Sequence, residues 1–156
     1  QRQMCIRDRR QLPVTRPEDL VYTSHFGGIG CGIGQAVGAA AAIHDRPTVL
    51  IAGDGGFLLS GLSELSTVRR LQLDLIVIIC NDGSYGAEHV QFTNRQMDTS
   101  LSMIEPPDFA AVAQAMGIEA IKVEGLDDLE AACLALDRRR GPLLIDLRLD
   151  PTKIEM

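Results

Sequence analysis

Short runs of β-branched and other apolar residues, separated by segments with helical spacing, constrain the fold of this chain most strongly. Two such runs, residues 48–52 and 75–80, are bounded by turn-forming residues. Continuously apolar strands are typical of parallel sheets, in which both faces of the sheet are buried. Two further strands are predicted at residues 120–123 and 143–147, each after a segment with helical spacing.

Four helices are predicted around these strands. The first two cover residues 32–44 and 58–70. Asp108 is a typical N-cap residue for the third, and Gly117 is a typical residue after a helix end. The fourth, residues 127–140, has acidic residues in its first turn and arginines in its last. The alternation predicts an α/β fold, a doubly wound parallel sheet with helices on both faces.

The charge, the cysteines and the hydropathy of the chain exclude several classes of protein. The chain has 21 acidic and 15 basic residues and a net charge of −6, so we expect no nucleic-acid partner. Its four cysteines lack the CxxC spacing of zinc sites and favour reduced thiols in the cytoplasm. The glycine-rich stretch at residues 27–43 is too short for a spanning helix, so we expect no membrane association.

Acidic residues flanked by glycines follow the first two predicted strands. Asp54 lies between Gly53 and Gly55, and Asp82 precedes Gly83. In doubly wound sheets, ligands bind beyond the carboxyl ends of the strands. Carboxylates are ligands for Mg²⁺, and glycines let backbone N–H groups approach a phosphate closely. The pattern predicts a magnesium ion that bridges a diphosphate, and spacing alone leaves solvated loop residues as the alternative.

Three separated motifs resemble those of thiamine diphosphate-dependent enzymes. Gly53-Asp54-Gly55 and Asn81-Asp82, with twenty-five residues between them, are similar to the GDG…NN signature of that family. The glycine-rich segment at residues 26–34 resembles the part of these enzymes that lies against the aminopyrimidine ring. Residues 107–110 and 141–146 are similar to the acetolactate synthase and benzoylformate decarboxylase branch. The resemblance extends over residues 16–151 and implies the thiamine diphosphate-binding fold.

The resemblance implies the ligands of a magnesium ion. They are Asp54, Asp82 and the backbone carbonyl of Ser84. The family usually has asparagine at the position of Asp82, so this chain keeps an oxygen ligand there and adds a negative charge.

The resemblance also implies contacts with thiamine diphosphate. The carbonyl of Gly27 would accept from the exocyclic amine of the cofactor, and Ile29 would support its bent conformation, with an ordinary core residue as the alternative for Ile29. The full set of implied cofactor-binding residues is Gly27, Gly28, Ile29, Asp54, Gly55, Gly56, Asp82, Ser84, Tyr85 and Gly86.

The catalytic residues are not assigned by the sequence. In the family, a glutamate on a pyrimidine-binding domain, usually of a second subunit, initiates proton removal, and no segment here resembles that domain. Glu88 and His89 are the ionisable residues nearest the metal loop, and for both a substrate contact and a surface role stay open. His25 either faces the cofactor or is structural.

The implied function is that of an enzyme that decarboxylates or ligates 2-oxo acids, as a lyase or transferase. We expect residues 1–10 to be a disordered or non-native lead. Residues 11–156 are expected to be the diphosphate-binding domain of a larger homodimeric or homotetrameric enzyme, inactive without its pyrimidine-binding partner.

Two alternatives come from other classes of protein. A Rossmann domain that binds NADP is supported by Gly32, Gly34 and Gly38, with Asp54 as the ribose-binding acid. It does not explain the second acid, Asp82. A non-catalytic subunit with the same fold would carry the same motifs in this part of the chain.

Overall fold

The computed structural model describes residues 14, 16–21 and 28–150. Helices and strands alternate along these residues. They are α1 (Gly32–Ala42), β1 (Thr48–Gly53), α2 (Asp54–Leu71), β2 (Leu75–Asn81), α3 (Gly86–Asn94), α4 (Phe109–Ala115), β3 (Glu119–Val123), α5 (Leu126–Arg138) and β4 (Leu143–Arg148), with short 3-10 helices at Pro17–Asp19 and Ser100–Ser102. The expected lead at residues 1–10 lies outside the described residues.

The four strands form one parallel sheet in the order β1-β2-β4-β3. All four predicted strands are confirmed. Gly53 at the end of β1 lies in register with Cys80 near the end of β2. The residues that follow these two neighbouring strands therefore emerge at the same edge of the sheet, where ligands bind in folds of this class.

Helices cover both faces of the sheet, as predicted. On one face, α1, α2 and α4 pack on a cluster that includes Leu50, Val77 and Leu144. On the other face, α5 packs on Leu143 and Ile145. Burial on both faces explains why the central strands are continuously apolar in sequence.

The aromatic rings of Phe57 in α2 and Phe109 in α4 join two of these helices within the first cluster. Their centroids are 5.6 Å apart and their planes are at 88° to each other. This is the edge-to-face arrangement that aromatic pairs favour. The start of α2, which carries Asp54, is thereby packed against the start of α4.

The second helix begins four residues earlier than predicted. The sequence places its start at residue 58, because glycines disfavour helix. In the structure α2 begins at Asp54, and the Asp54 carboxylate accepts a hydrogen bond from the N–H of Gly55 in the first turn. This bond satisfies one of the donors that a helix start leaves free.

Two other helices differ from expectation. The first predicted helix ends at Ala42 rather than at residue 44. The helix α3 lies in a segment for which no element is predicted. Ala87 is the residue of α3 that is fully buried, so this helix lacks the apolar stripe that periodicity detects. Among the described residues, none of the helices combines the length and apolarity needed to cross a membrane.

We expect Asp108→Ala to lower the free energy of unfolding by about 1 kcal/mol, because Asp108 caps α4. Its side chain accepts a hydrogen bond from the N–H of Ala111 at 2.9 Å. Urea denaturation of the two proteins measures the difference. Glu130→Ala, an exposed change within α5, is the control and should alter stability by less than about 0.5 kcal/mol. Equal effects of the two substitutions would contradict the capping role.

Candidate functional site

Asp54 joins the start of α2 to the loop that follows β2. Its side chain is buried, and its two carboxylate oxygens accept from different N–H groups. Oδ1 accepts from Gly55 at 2.9 Å and Oδ2 accepts from Gly83 at 2.8 Å. Gly83 has a φ of +70°, a conformation that glycine adopts without strain. The loop after β2 is thus hydrogen-bonded to the first residue of α2.

Asp82 carries a buried oxygen without a partner. Its Oδ1 accepts from both the N–H and the hydroxyl of Ser84, each at 2.9 Å. Its Oδ2 is buried and has no hydrogen-bond partner among the described residues. A buried carboxylate oxygen without a partner is costly, so this atom is suited to contact with a cation or a hydrogen-bond donor.

Burial raises the cost of ionising both carboxylates, and the charge of Asp82 raises it further for Asp54. Burial, and then the negative charge of Asp82, raises the pKa of Asp54 to about 6. Burial also raises the pKa of Asp82, although its hydrogen bonds from Ser84 act in the opposite direction. Two buried like charges favour a divalent cation between them. The pair Asp54 and Asp82 is therefore a candidate metal site with hard oxygen ligands.

The donor set fits Mg²⁺ bound together with a phosphate ligand. Among residues 28–150 and the short described stretches before them, no cluster of three or more His, Cys, Asp or Glu side chains could hold a metal. Mg²⁺ is usually bound by one or two carboxylates, with waters and phosphate oxygens completing its coordination. Two carboxylates beside a helix start satisfy that requirement.

The glycine-rich loop before α1 contacts the first turns of α2. The carbonyl of Gly30 accepts from the hydroxyl of Ser60 at 2.5 Å. Gly30 has a φ of +88°, and a Cβ at this position would lie 2.7 Å from Ser60 Oγ and 2.9 Å from Gly56 O. The methyl Cγ2 of Ile29 lies 3.4 Å from where a Cβ on Gly56 would stand. The loop therefore requires glycine at position 30 and places Ile29 beside the start of α2.

The ring of Tyr85 lies directly against Gly55. A Cβ on Gly55 would stand 2.7 Å from Cε1 and 2.8 Å from Cδ1 of this ring. Tyr85 is itself held by its N–H, which donates to the carbonyl of Ser102 at 2.8 Å. The second glycine of the Gly-Asp-Gly motif is thus explained by a close approach between α2 and the loop after β2.

A cleft of about 650 Å³ opens between the glycine-rich loop, the start of α2 and the residues after β2. Its apolar part extends along β1 past Val49 and Ile51. The residues predicted from the sequence that line it are Gly28, Ile29, Asp54, Gly55, Gly56, Ser84, Tyr85, Gly86 and Glu88. Asp82 does not line the cleft. The next residue, Gly83, donates its N–H to Asp54, which does line it. Gly27 and His25 fall outside the described residues.

The two ionisable candidates of α3 lie in different surroundings. Glu88 lines the cleft. Nδ1 of His89 lies 3.1 Å from the hydroxyl of Ser102, which donates to the carbonyl of Thr99 at 2.6 Å. Because the hydroxyl proton points to Thr99, Nδ1 of His89 is the donor to Ser102. His89 is therefore held by the segment after α3, whereas Glu88 faces the cleft.

Sequence reasoning missed two residues that shape the site. Ser60 holds a glycine thirty positions earlier in the chain, and no local pattern links the two. The sequence does not predict the contact of Gly83, whose N–H donates to Asp54. The Asp82-Gly83 pair is a turn signal and indicates that this backbone folds back tightly.

The chain is similar to known proteins in both sequence and fold. The profile of the family described as "Thiamine pyrophosphate enzyme, C-terminal TPP binding domain" matches residues 3–147. The chain belongs to this family. Its fold is accordingly that of a thiamine diphosphate-binding domain, and the predicted resemblance is confirmed.

Several characterised relatives are similar over most of the chain. The acetolactate synthase isozyme 2 large subunit of Escherichia coli is 34% identical over 140 residues, which are 87% of this chain and 25% of that protein. The 2-hydroxyacyl-CoA lyase of Oryza sativa subsp. japonica is 31% identical over 149 residues, covering 92% of this chain and 26% of the lyase. The chain therefore spans about a quarter of the length of these relatives.

A solved structure shows the same fold. The thiamine diphosphate-dependent 4-hydroxybenzoylformate decarboxylase of Rhodococcus jostii RHA1 superposes with a TM-score of 0.72 at 28% sequence identity. The match covers 80% of this chain and 24% of the decarboxylase. The α/β architecture and its parallel sheet are therefore shared with an enzyme that uses this cofactor.

We expect Gly55→Ala to destabilise the protein by about 1–3 kcal/mol, because the new methyl group overlaps the ring of Tyr85. The same substitution made in a Tyr85→Ala background should be neutral or slightly stabilising, since alanine favours helix over glycine. Urea denaturation of the four proteins measures this coupling. Equal effects in both backgrounds would contradict the contact.

The raised pKa of Asp54 predicts a pH-dependent stability in metal-free buffer. Between its ordinary value of 3.8 and about 6, the folded state binds more protons than the unfolded state. The free energy of unfolding contributed by Asp54 should therefore fall as pH rises through this window, by up to about 3 kcal/mol. Asp54→Asn should reduce this slope, and the raised pKa of Asp82 should leave a smaller slope in the same direction.

Urea unfolding with EDTA at several pH values between 4 and 7 measures the effect. Asp137→Asn, a change at an exposed position of α5, is the control and should leave the slope in place. Parallel stability curves for Asp54→Asn and the unchanged protein would show that Asp54 has no raised pKa.

Proposed function

We propose that this chain is the Mg²⁺- and diphosphate-binding domain of a thiamine diphosphate-dependent enzyme that decarboxylates or ligates 2-oxo acids. The observation that carries this proposal is the buried pair of Asp54, at the start of α2, and Asp82, directly after β2. Oδ2 of Asp82 has no hydrogen-bond partner among the described residues. The acetolactate synthase and 4-hydroxybenzoylformate decarboxylase relatives support the 2-oxo acid class.

In this proposal the metal is held by Asp54, Asp82 and the backbone carbonyl of Ser84. The diphosphate lies at the amino end of α2, where the helix dipole favours an anion. The N–H of Gly55 donates to Asp54 in this structure, and the N–H of Gly56 follows it in the same first turn.

The residues around the cleft orient the rest of the cofactor. Gly28 and Ile29 contact it from the glycine-rich loop, and Tyr85 and Gly86 contact it from the loop after β2. Ile29, which lies beside Gly56, would support the cofactor from the glycine-rich loop. When bound, thiamine diphosphate supplies an electron sink that stabilises a carbanion on the substrate. The protein residues hold it in a geometry suited to reaction and keep water out of the cleft.

The proposed enzyme requires a pyrimidine-binding domain from the same or a second subunit. That domain supplies the activating glutamate, in a homodimer or homotetramer. The relatives are about four times as long as this chain, which supports a multidomain enzyme.

We expect Asp54→Ala to abolish Mg²⁺-dependent binding of thiamine diphosphate, because it removes a metal ligand. Asp82→Asn should weaken binding by less than about tenfold, because an amide oxygen still coordinates Mg²⁺. Isothermal titration calorimetry of the intact protein, with and without Mg²⁺, measures both affinities.

Two controls accompany this calorimetry. Asp137→Ala should bind the cofactor as the unchanged protein does, and NADP⁺ should not bind. Unchanged affinity in Asp54→Ala would refute the metal assignment. Binding of NADP⁺ with no binding of thiamine diphosphate would favour the Rossmann alternative instead.

A further inference from the structure

A third buried carboxylate lies next to the loop that follows β2, outside the cleft. Asp146 in β4 is 0% exposed. Its Oδ1 accepts from Nδ2 of Asn81 at 2.8 Å, and its Oδ2 accepts from the N–H of Phe109 at 3.2 Å. The guanidinium of Arg148 pairs with the same Oδ2 at 3.1 Å. One side chain thus joins the end of β2, the start of α4 and the end of β4.

Asn81 connects this network to the metal site, because it is the last residue of β2 and directly precedes Asp82. Its Oδ1 is buried without a partner in the described part of the chain. The bond to Asp146 is therefore the hydrogen bond that orients its side chain. Its backbone carbonyl accepts from the N–H of Leu149 at 2.8 Å. The end of β4 consequently holds both the side chain and the backbone of the residue before Asp82.

We propose that Asp146 is a positioning residue of the metal site, and that it acts through Asn81 to set the location of Asp82 relative to Asp54. This inference rests on the proposed function. Mg²⁺ demands near-ideal octahedral geometry with metal–oxygen distances of about 2.0–2.1 Å. A small displacement at the end of β2 therefore weakens metal binding even when the fold is retained.

The chemistry of position 146 requires a carboxylate. Three donors converge on it, from Asn81, Phe109 and Arg148, and a carboxylate accepts from all three. An asparagine would turn an NH₂ group towards at least one of these donors. Asp146→Asn therefore disturbs the network with almost no change of volume.

The binding of Mn²⁺, a spectroscopic substitute for Mg²⁺, tests the proposal in the intact protein. The electron paramagnetic resonance signal of free Mn²⁺ gives the dissociation constant directly, without any measurement of activity. We expect Asp146→Asn and Asn81→Ala each to raise that constant at least tenfold. The double variant should be little weaker than either single variant, since both changes break the same bond.

Asp108→Ala is the matched control. It removes the cap of the same helix that Asp146 contacts at Phe109, but it leaves the bond between Asn81 and Asp146 in place. We expect it to lower the urea midpoint while leaving the Mn²⁺ dissociation constant unchanged. Asn81→Ala keeps both other partners of Asp146, so it carries the test if Asp146→Asn fails to fold.

Three results would overturn the proposal. The first is a normal Mn²⁺ dissociation constant in Asn81→Ala or in folded Asp146→Asn. The second is an equal weakening in Asp108→Ala, which would assign Asp146 a general structural role. The third is no Mn²⁺ binding by the unchanged protein, which would overturn the metal site as well. Mn²⁺ binding with the expected variant effects, but without Mg²⁺-dependent binding of thiamine diphosphate, would refute the proposed function and support the positioning role.

Discussion

The site depends on two carboxylates, Asp54 and Asp82, that are buried beside each other at the ends of adjacent parallel strands. Each is costly to bury, and together they repel. The surrounding backbone offsets part of this cost through hydrogen bonds from Gly55, Gly83 and Ser84. Oδ2 of Asp82 has no hydrogen-bond partner within the described part of the chain. This imbalance is the physical reason that the edge of the sheet is suited to a divalent cation.

The same hydrogen bonds bring the loops of the site together. Once Gly83 donates to Asp54, the loop after β2 lies over the start of α2, and the ring of Tyr85 reaches Gly55. The glycine-rich loop contacts the other side of this helix start, through Gly30 and Ser60. Both approaches are closer than a Cβ allows. The glycines of the site therefore allow close packing between segments.

Membership of the thiamine pyrophosphate enzyme family accounts for the position of these motifs in the chain. The charge at the candidate site depends on the individual residues. An aspartate stands at position 82, where the family usually has asparagine. Its charge contributes to the raised pKa of Asp54. The proposed metal site therefore carries more negative charge than a site with one aspartate and one asparagine. Asp146 is fully buried and pairs with Arg148. It accepts a hydrogen bond from the side chain of Asn81, the residue before Asp82.

The sequence by itself determined the parallel sheet and the location of the site. Continuous apolar strands report burial on both faces, and the acids of the motifs follow those strands directly, so both signals are local in sequence. The start of α2 at Asp54 and the existence of α3 were decided only by tertiary structure. In α2 the hydrogen bond from the N–H of Gly83 to Asp54 and the packing of Phe57 on Phe109 hold the glycine-containing first turn in place, and α3 has no apolar stripe to detect. The contacts of Ser60 with Gly30, and of Asp146 with Asn81, join residues thirty and sixty-five positions apart. No local pattern encodes such pairs, because only the packing of helices and strands brings them together.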